Sequence, residues 1–210
     1  MIPIMPILTV VIVLSVIFTV ALKKHSKSYG TKFEEYINHE IDANAVKSKP
    51  IADGDFFVPD MSAFPIMPDQ GEDLPVLRRQ RDVINRAGKK MMRFDKPMSN
   101  TELKLKYGTV NLEKITEYEE NFYQFTYAIN NWAEALLEKN DEIAAEKVLR
   151  AGVLCRTETS KTYTVLADIY FKQRRRTALQ ELYDTVNNRN MPAKEKTWRY
   201  LNDLLIKMGS

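Results

Sequence analysis

Residues 129–136 read INNWAEAL, and residues 163–170 read YTVLADIY. The two stretches carry large, large, small and large side chains at corresponding places, and corresponding residues are 34 positions apart. We call this spacing the repeat period. The correspondence continues with the same period in a following segment of each unit, over 145–152 and 179–186. A fixed spacing of this kind indicates an internal repeat, in which each unit buries its apolar face against the next one.

The region around the repeat is poor in helix-breaking residues. From Leu112 to the end, Pro192 is the only proline, and the only glycines are Gly152 and Gly209. This composition predicts an all-α fold in which helices of ordinary length are joined by short turns. We place the turns near 140–141, 157–160, 173–176 and 187–192.

The period and the side-chain pattern resemble the tetratricopeptide repeat, whose antiparallel helical hairpins stack into an α-solenoid. The resemblance covers two units over 127–188, and it departs from the family pattern at Leu179 and Gly152, where small residues and alanine are usual. Three units are normally needed for a stable array. Flanking helices over 112–124 and 194–208 are therefore expected to complete the core. An unrelated antiparallel helical bundle is the alternative fold.

The resemblance implies a protein or peptide partner, bound in the groove formed by the first helix of each pair. No cofactor and no small-molecule substrate are expected. Mapped by position, the groove candidates are Tyr127, Asn130, Glu134, Lys161, Thr164, Asp168, Phe171 and Lys172.

Residues 2–22 predict a single-pass transmembrane anchor. They contain no charged side chain, and twelve of the sixteen residues from 7 to 22 are Ile, Leu, Val or Phe. As a helix they extend about 31 Å, which matches a hydrocarbon core of roughly 30 Å. Lysines follow at 23, 24 and 27, and this excess of positive charge places the C-terminal domain in the cytoplasm and the N-terminus outside. A cleaved signal peptide is the alternative, because residues 19–21 fit a cleavage site.

Two blocks of opposite charge follow the anchor. Residues 51–75 hold six acidic groups and no Lys or Arg, whereas residues 76–96 hold eight basic groups and two acidic ones. The prolines of the first block exclude a long helix, and its many large apolar side chains either pack on the protein's own helices or dock on a partner. We favour packing on the protein itself.

The second block predicts a basic amphipathic helix. Its charged face is either simply solvated or in contact with an anionic membrane surface. Nucleic acid is not favoured, because no interleaved aromatic platform accompanies the charges. The membrane-surface candidates are Arg78, Arg79, Arg81, Arg86, Lys89 and Lys90.

These observations divide the chain into five segments. They are a transmembrane anchor over 1–22, a juxtamembrane helix over 23–49, a Pro-rich acidic and apolar linker over 50–75, the basic amphipathic helix over 76–98 and a tetratricopeptide-like domain over 99–210.

No residue pattern in the chain points to catalysis. It contains no Gly-rich phosphate loop, no nucleophile motif and no metal-ligand spacing, and its two histidines, His25 and His39, lie near the anchor. Cys155 is interpreted as a small buried group. The sequence therefore favours a membrane-anchored adaptor that binds a cytoplasmic protein. The alternative is a structural subunit of a membrane assembly, such as a secretion or envelope complex, in which the Pro-rich linker packs on other subunits.

Overall fold

The computed structural model of the protein describes Phe18, residues 32–72 and residues 74–209. This part of the chain is mostly helical, which confirms the all-α class. None of its helices combines the length and the apolar character that crossing a bilayer requires. The predicted anchor over 2–22 lies outside the described residues, apart from Phe18.

The described residues contain eight α-helices, three short 3-10 helices and one pair of short strands. The helices are α1 (32–45), α2 (Pro75–Ala87), α3 (Asn100–Tyr107), α4 (Leu112–Glu138), α5 (Glu142–Leu154), α6 (Ser160–Lys172), α7 (Arg176–Asn187) and α8 (Lys194–Gly209), and the antiparallel strands are β1 (Phe56–Phe57) and β2 (Met91–Met92).

The described residues form two compact units, the first made of residues 32–50 with 98–112 and the second of residues 51–72, 74–97 and 113–209. In the first unit, α3 begins with a capping box between Ser99 and Glu102, in which each side chain accepts from the other residue's amide. Glu40 on α1 accepts a hydrogen bond from the Thr101 hydroxyl at 2.6 Å and pairs with Lys104. These contacts join α1 to α3 and hold the pKa of the Glu40 carboxyl below its ordinary value, Lys104 being the main cause.

The second unit contains the repeat, and its helices recur with the period of the sequence. Helix α5 begins at Glu142 and α7 begins at Arg176, one repeat period later. Helix α6 begins at Ser160 and α8 begins at Lys194, again one period later. Helix α6 packs against α5, α7 and α8, and α7 packs against α8, which is compatible with a helical repeat. Helix α8 therefore follows α7 with the same spacing as α6 follows α5.

The turns between the helices of each unit repeat in detail. Asn140 and Arg174 are one repeat period apart, and both have the left-handed backbone, with φ of 62° and 56°. After each one, the next amide donates to a carbonyl five residues back at 2.9 Å, from Asp141 to Leu136 and from Arg175 to Tyr170. This is the Schellman ending of a helix, for which glycine is the usual residue.

The two turns differ in how well their residue suits that backbone, and this predicts a difference in stability. Asn adopts the left-handed region more readily than Arg does. We expect Arg174→Gly to raise the free energy of unfolding by about 0.5–1 kcal/mol, and Asn140→Gly to change it by less. Urea denaturation of both variants and the wild type measures the difference. An equal gain in the two variants would contradict the proposed strain at Arg174.

The Pro-rich linker packs on the protein's own α4. The Phe64 ring stacks on Trp132 with centroids 6.2 Å apart, and the Phe57 ring meets Phe122 edge-on at 5.1 Å. The buried amide of Gln80 on α2 exchanges two hydrogen bonds, of 2.7 and 2.8 Å, with the backbone of Met67. The linker therefore packs on the protein's own helices, which is the arrangement that we favoured from its apolar residues.

Two helix boundaries differ from those predicted. The basic helix ends at Ala87, where Gly88 follows, so Met91 belongs to β2 and is fully buried there. Helix α4 is continuous over 27 residues, so the predicted flanking helix over 112–124 and the first helix of the repeat are one element. The predicted juxtamembrane helix over 23–49 is represented in the described residues by α1, over 32–45.

Candidate functional site

The first helices of the two repeat units are α4 and α6, and they lie side by side. Helix α8 lies next to α6 in the same row. Between α4 and α6, the Thr162 hydroxyl donates to the Asn130 amide oxygen at 3.0 Å. Between α6 and α8, the Thr197 hydroxyl donates to the Ser160 hydroxyl at 2.8 Å. We use the name first-helix face for the exposed side chains of α4, α6 and α8 along this row. This face includes five of the eight positions at which the sequence predicted a binding groove.

A buried network of uncharged polar groups lies beneath the first-helix face. Asn130 donates from its side-chain amide to the Thr126 carbonyl at 3.0 Å and accepts from Thr162, which in turn accepts from the Thr157 hydroxyl at 3.1 Å. The Tyr163 hydroxyl donates to the Thr157 carbonyl at 2.7 Å. Since Asn130, Thr157 and Thr162 are almost completely buried, each of these bonds satisfies a group that water does not reach.

Two polar contacts bridge neighbouring helices on the first-helix face itself. Glu134 on α4 forms an ion pair of 2.5 Å with Lys161 on α6, and both side chains remain about two-fifths exposed. Asp168 on α6 accepts a hydrogen bond of 2.6 Å from the Tyr200 hydroxyl on α8. That hydrogen bond raises the pKa of Tyr200 to about 12, because ionising the phenol would set two negative charges side by side.

Aromatic side chains on the same face are exposed. Tyr127 is 60% exposed and Tyr123 is 47% exposed, and they lie four residues apart on one side of α4. Next to Tyr200, a cleft of about 460 Å³ lies between α6 and α8, with Thr164 on one wall and Lys196 and Asp203 on the other. Exposed tyrosines beside a cleft whose accessible lining is mostly apolar are typical of a surface that binds another protein.

The structure separates the eight predicted groove residues into two groups. Tyr127, Glu134, Lys161, Thr164 and Asp168 lie on the first-helix face. Asn130 does not, because its side chain is 2% exposed and belongs to the buried network.

The last two predicted groove residues, near the end of α6, also have other contacts. Phe171 packs against the core, and Lys172 pairs with Glu142 at the start of α5. Asn130 was selected by its position in the repeat, and that position does not show that buried partners satisfy its amide.

Sequence reasoning missed Tyr123 and Tyr200. Tyr200 lies one repeat period after Leu166, which is buried, so extending the repeat into α8 would have placed Tyr200 in the core. Tyr123 lies one turn before Tyr127 and was assigned to a separate flanking helix. Its hydroxyl is hydrogen-bonded to Glu158, and burial is the main cause that raises the pKa of both groups.

Several of the membrane-surface candidates have partners within the second unit. Arg81 forms an ion pair of 3.2 Å with Asp69, and Arg86 forms one of 2.8 Å with Asp82. The Lys90 ammonium lies 4.9 Å from the centre of the Phe56 ring. Arg78, Arg79 and Lys89 are exposed on α2 and on the turn that follows it.

Cys155 at the end of α5 is buried, and burial raises the pKa of its thiol to about 11. At neutral pH the group is therefore a thiol, which is a poor nucleophile. Among the described residues, no group of three or more His, Cys, Asp or Glu side chains could hold a metal ion.

No family model matches the sequence, and searches of curated proteins and of solved structures likewise find no match.

Proposed function

We propose that this protein is a membrane-anchored adaptor of tetratricopeptide-like repeats that binds a protein partner on the cytoplasmic side. The observation that carries the proposal is the recurrence, at the repeat period, of helix starts, turn conformation and buried positions over α5–α8. Stacked helical units of this kind present rows of first helices, and such rows are extended binding surfaces. The uncharged apolar stretch over 2–22 supplies the anchor, and the lysines at 23, 24 and 27 supply the orientation.

The surface chemistry of the first-helix face supports a protein partner. Tyrosines such as Tyr127 combine a large apolar ring with a hydroxyl, and they lose little conformational entropy on binding because they have few rotatable bonds. The ion pair between Glu134 and Lys161 is exposed, so its two charges are available to a partner at the edge of the contact.

The position of the Pro-rich linker distinguishes this proposal from the structural-subunit alternative. In that alternative the apolar side chains of the linker contact other subunits. Phe64 is 5% exposed and Phe57 lies on Phe122, so these two rings are occupied by the protein's own α4. This packing supports an adaptor whose partner binds elsewhere, on the first-helix face.

Purification of the protein from membranes with its partners tests the proposal. We expect Tyr127→Ala to lower partner retention by about tenfold or more, as loss of an exposed aromatic hot spot does. Ile143→Ala is the matched control, because Ile143 is 70% exposed on α5 and lies outside the first-helix face. Mass spectrometry of material solubilised in mild detergent measures retention.

Three outcomes would contradict the proposal. Unchanged partners in the Tyr127→Ala sample would exclude the first-helix face as the binding surface. An equal loss in the Ile143→Ala sample would show that the effect is not specific to that face. Recovery of the wild-type protein without detergent, in the fraction that contains no membranes, would contradict the anchor.

A further inference from the structure

A cleft of about 370 Å³ in the second unit is rich in positive charge. The loop after β2 lines one side of it, and the residues that follow α5 and α7 line the other. Its four basic side chains outnumber its two carboxylates, which leaves an excess of two positive charges. The basic side chains are Arg93, Lys96, Arg156 and Arg189, and the carboxylates are Asp95 and Glu158.

Two of the arginines are held in place by aromatic rings. The Arg93 guanidinium lies 5.8 Å from the centre of the Phe57 ring, and its side chain is only 19% exposed. Arg189 donates to the Tyr163 hydroxyl at 2.6 Å, and its guanidinium lies 5.9 Å from the centre of the same ring. Because Tyr163 is neutral, it fixes the position of Arg189 without cancelling its charge.

Asp95 shows that two of these arginines converge on one anionic group. Its carboxylate lies 3.2 Å from Arg93 and 3.0 Å from Arg156, and its side chain is 71% exposed. An exposed carboxylate held by two exposed or partly exposed arginines contributes little to stability. A ligand with a stronger negative charge is therefore able to take its place between the two guanidiniums.

One donor in the cleft has no acceptor. The Nε atom of Arg93 is buried, and within the described part of the chain it makes no hydrogen bond. A buried donor without an acceptor is costly and rare in a folded protein, so the Arg93 guanidinium has hydrogen-bonding capacity that the described residues leave unused.

We propose that this cleft binds the phosphate group of a small phosphorylated organic molecule. A phosphate monoester carries close to two negative charges at neutral pH, which matches the excess charge of the cleft. The forked geometry of guanidinium groups matches phosphate oxygens. The lining also contains Phe94 and the buried Met191, which offer apolar contact to the organic part of the ligand. The volume lies at the small end of the range for ligand sites. The proposal is independent of partner binding at the first-helix face.

Calorimetric titration of the full chain in detergent with phenyl phosphate tests this site. We expect binding to the wild type, and an affinity at least about tenfold lower for Arg156→Asn, because a charge-assisted contact is lost. Asparagine suits this position, since Arg156 has a left-handed backbone with φ of 55° and asparagine tolerates that conformation. Arg150→Asn is the matched control, because Arg150 is 63% exposed on the preceding helix α5 and lies outside the cleft. Its affinity is expected to equal that of the wild type.

Comparison of ligands then identifies what the cleft recognises. Benzenesulfonate has the same ring and a single charge, and we expect it to bind at least about tenfold more weakly than phenyl phosphate. Inorganic phosphate is expected to bind more weakly as well, because it lacks the ring. No binding of phenyl phosphate, or equal losses in the two arginine variants, would overturn the proposal. Equal affinity for benzenesulfonate or inorganic phosphate would overturn it too, and tighter binding of dihexanoyl phosphatidic acid would assign a lipid headgroup instead.

Discussion

Replacing Phe64 with alanine is expected to lower the free energy of unfolding by about 3–5 kcal/mol. Phe64 is 5% exposed, its ring stacks on Trp132 at a centroid distance of 6.2 Å, and it meets Phe125 at the same distance. Removing the ring leaves a cavity against two fully buried aromatic side chains, and the linker loses its deepest contact with α4. The loss includes both the transfer of the ring to water and the unfilled space that remains.

Urea denaturation followed by tryptophan fluorescence measures this effect, in a Trp198→Phe background so that Trp132 alone reports. Ile66→Ala is the matched control, two residues further along the same linker. Because Ile66 is 45% exposed, its replacement is expected to cost about 1 kcal/mol or less. If the two variants lost equal stability, the linker would not be anchored on α4 by Phe64.

The second large effect is expected at Gly108, in the first unit. This glycine has φ of 82° and ψ of 152°, a region of backbone conformation that is essentially restricted to glycine. A Cβ atom added there would lie 2.7 Å from the Lys47 carbonyl oxygen and 2.8 Å from the Ser48 Cα atom. Both of these are backbone atoms and cannot move aside as a flexible side chain would. We expect Gly108→Ala to destabilise the first unit by about 2–5 kcal/mol, combining conformational strain with steric overlap.

Gly71→Ala separates the two contributions to that loss. Gly71 has a similar φ of 87°, but nothing lies within 4 Å of an added Cβ atom. Its replacement is therefore expected to cost only the conformational part, about 1–2 kcal/mol.

Hydrogen exchange of the Lys49 amide reports on the Gly108 variant locally. This amide donates to the Tyr107 carbonyl at 3.0 Å, next to the glycine. We expect its protection to fall in Gly108→Ala and to stay unchanged in Gly71→Ala. Equal protection in the wild type and in Gly108→Ala would contradict the steric argument.

The repeat was the most predictable part of the fold, because its signal is local and occurs twice. The repeat period and the polar breaks between helices predict turns near 140–141 and 173–176, and the left-handed residues Asn140 and Arg174 lie there. The continuity of α4 could have been predicted from the sequence as well. The sequence between Gln124 and Tyr127 contains no helix breaker, so it gives no reason to end one helix and begin another.

The contacts that depend on distant parts of the chain could not be predicted. The burial of Asn130 follows from the Thr162 hydroxyl, which belongs to the next first helix, and the amphipathic pattern of one helix carries no information about that donor. The basic cleft is a similar case. Arg93 appeared only as one of several charges in the basic block, and the fold brings it together with Arg156 and Arg189 from two other loops.

The buried network between α4 and α6 also fixes how these helices respond to force. If α6 slid along α4 by one turn, Thr162 would move about 5.4 Å from its present position. The hydrogen bond between the Thr162 hydroxyl and the Asn130 amide oxygen would then be broken. Because both groups are buried and water does not replace the lost partner, each would cost about 1–3 kcal/mol. Sliding of α6 along α4 away from the present register is therefore opposed by the loss of these two buried partners.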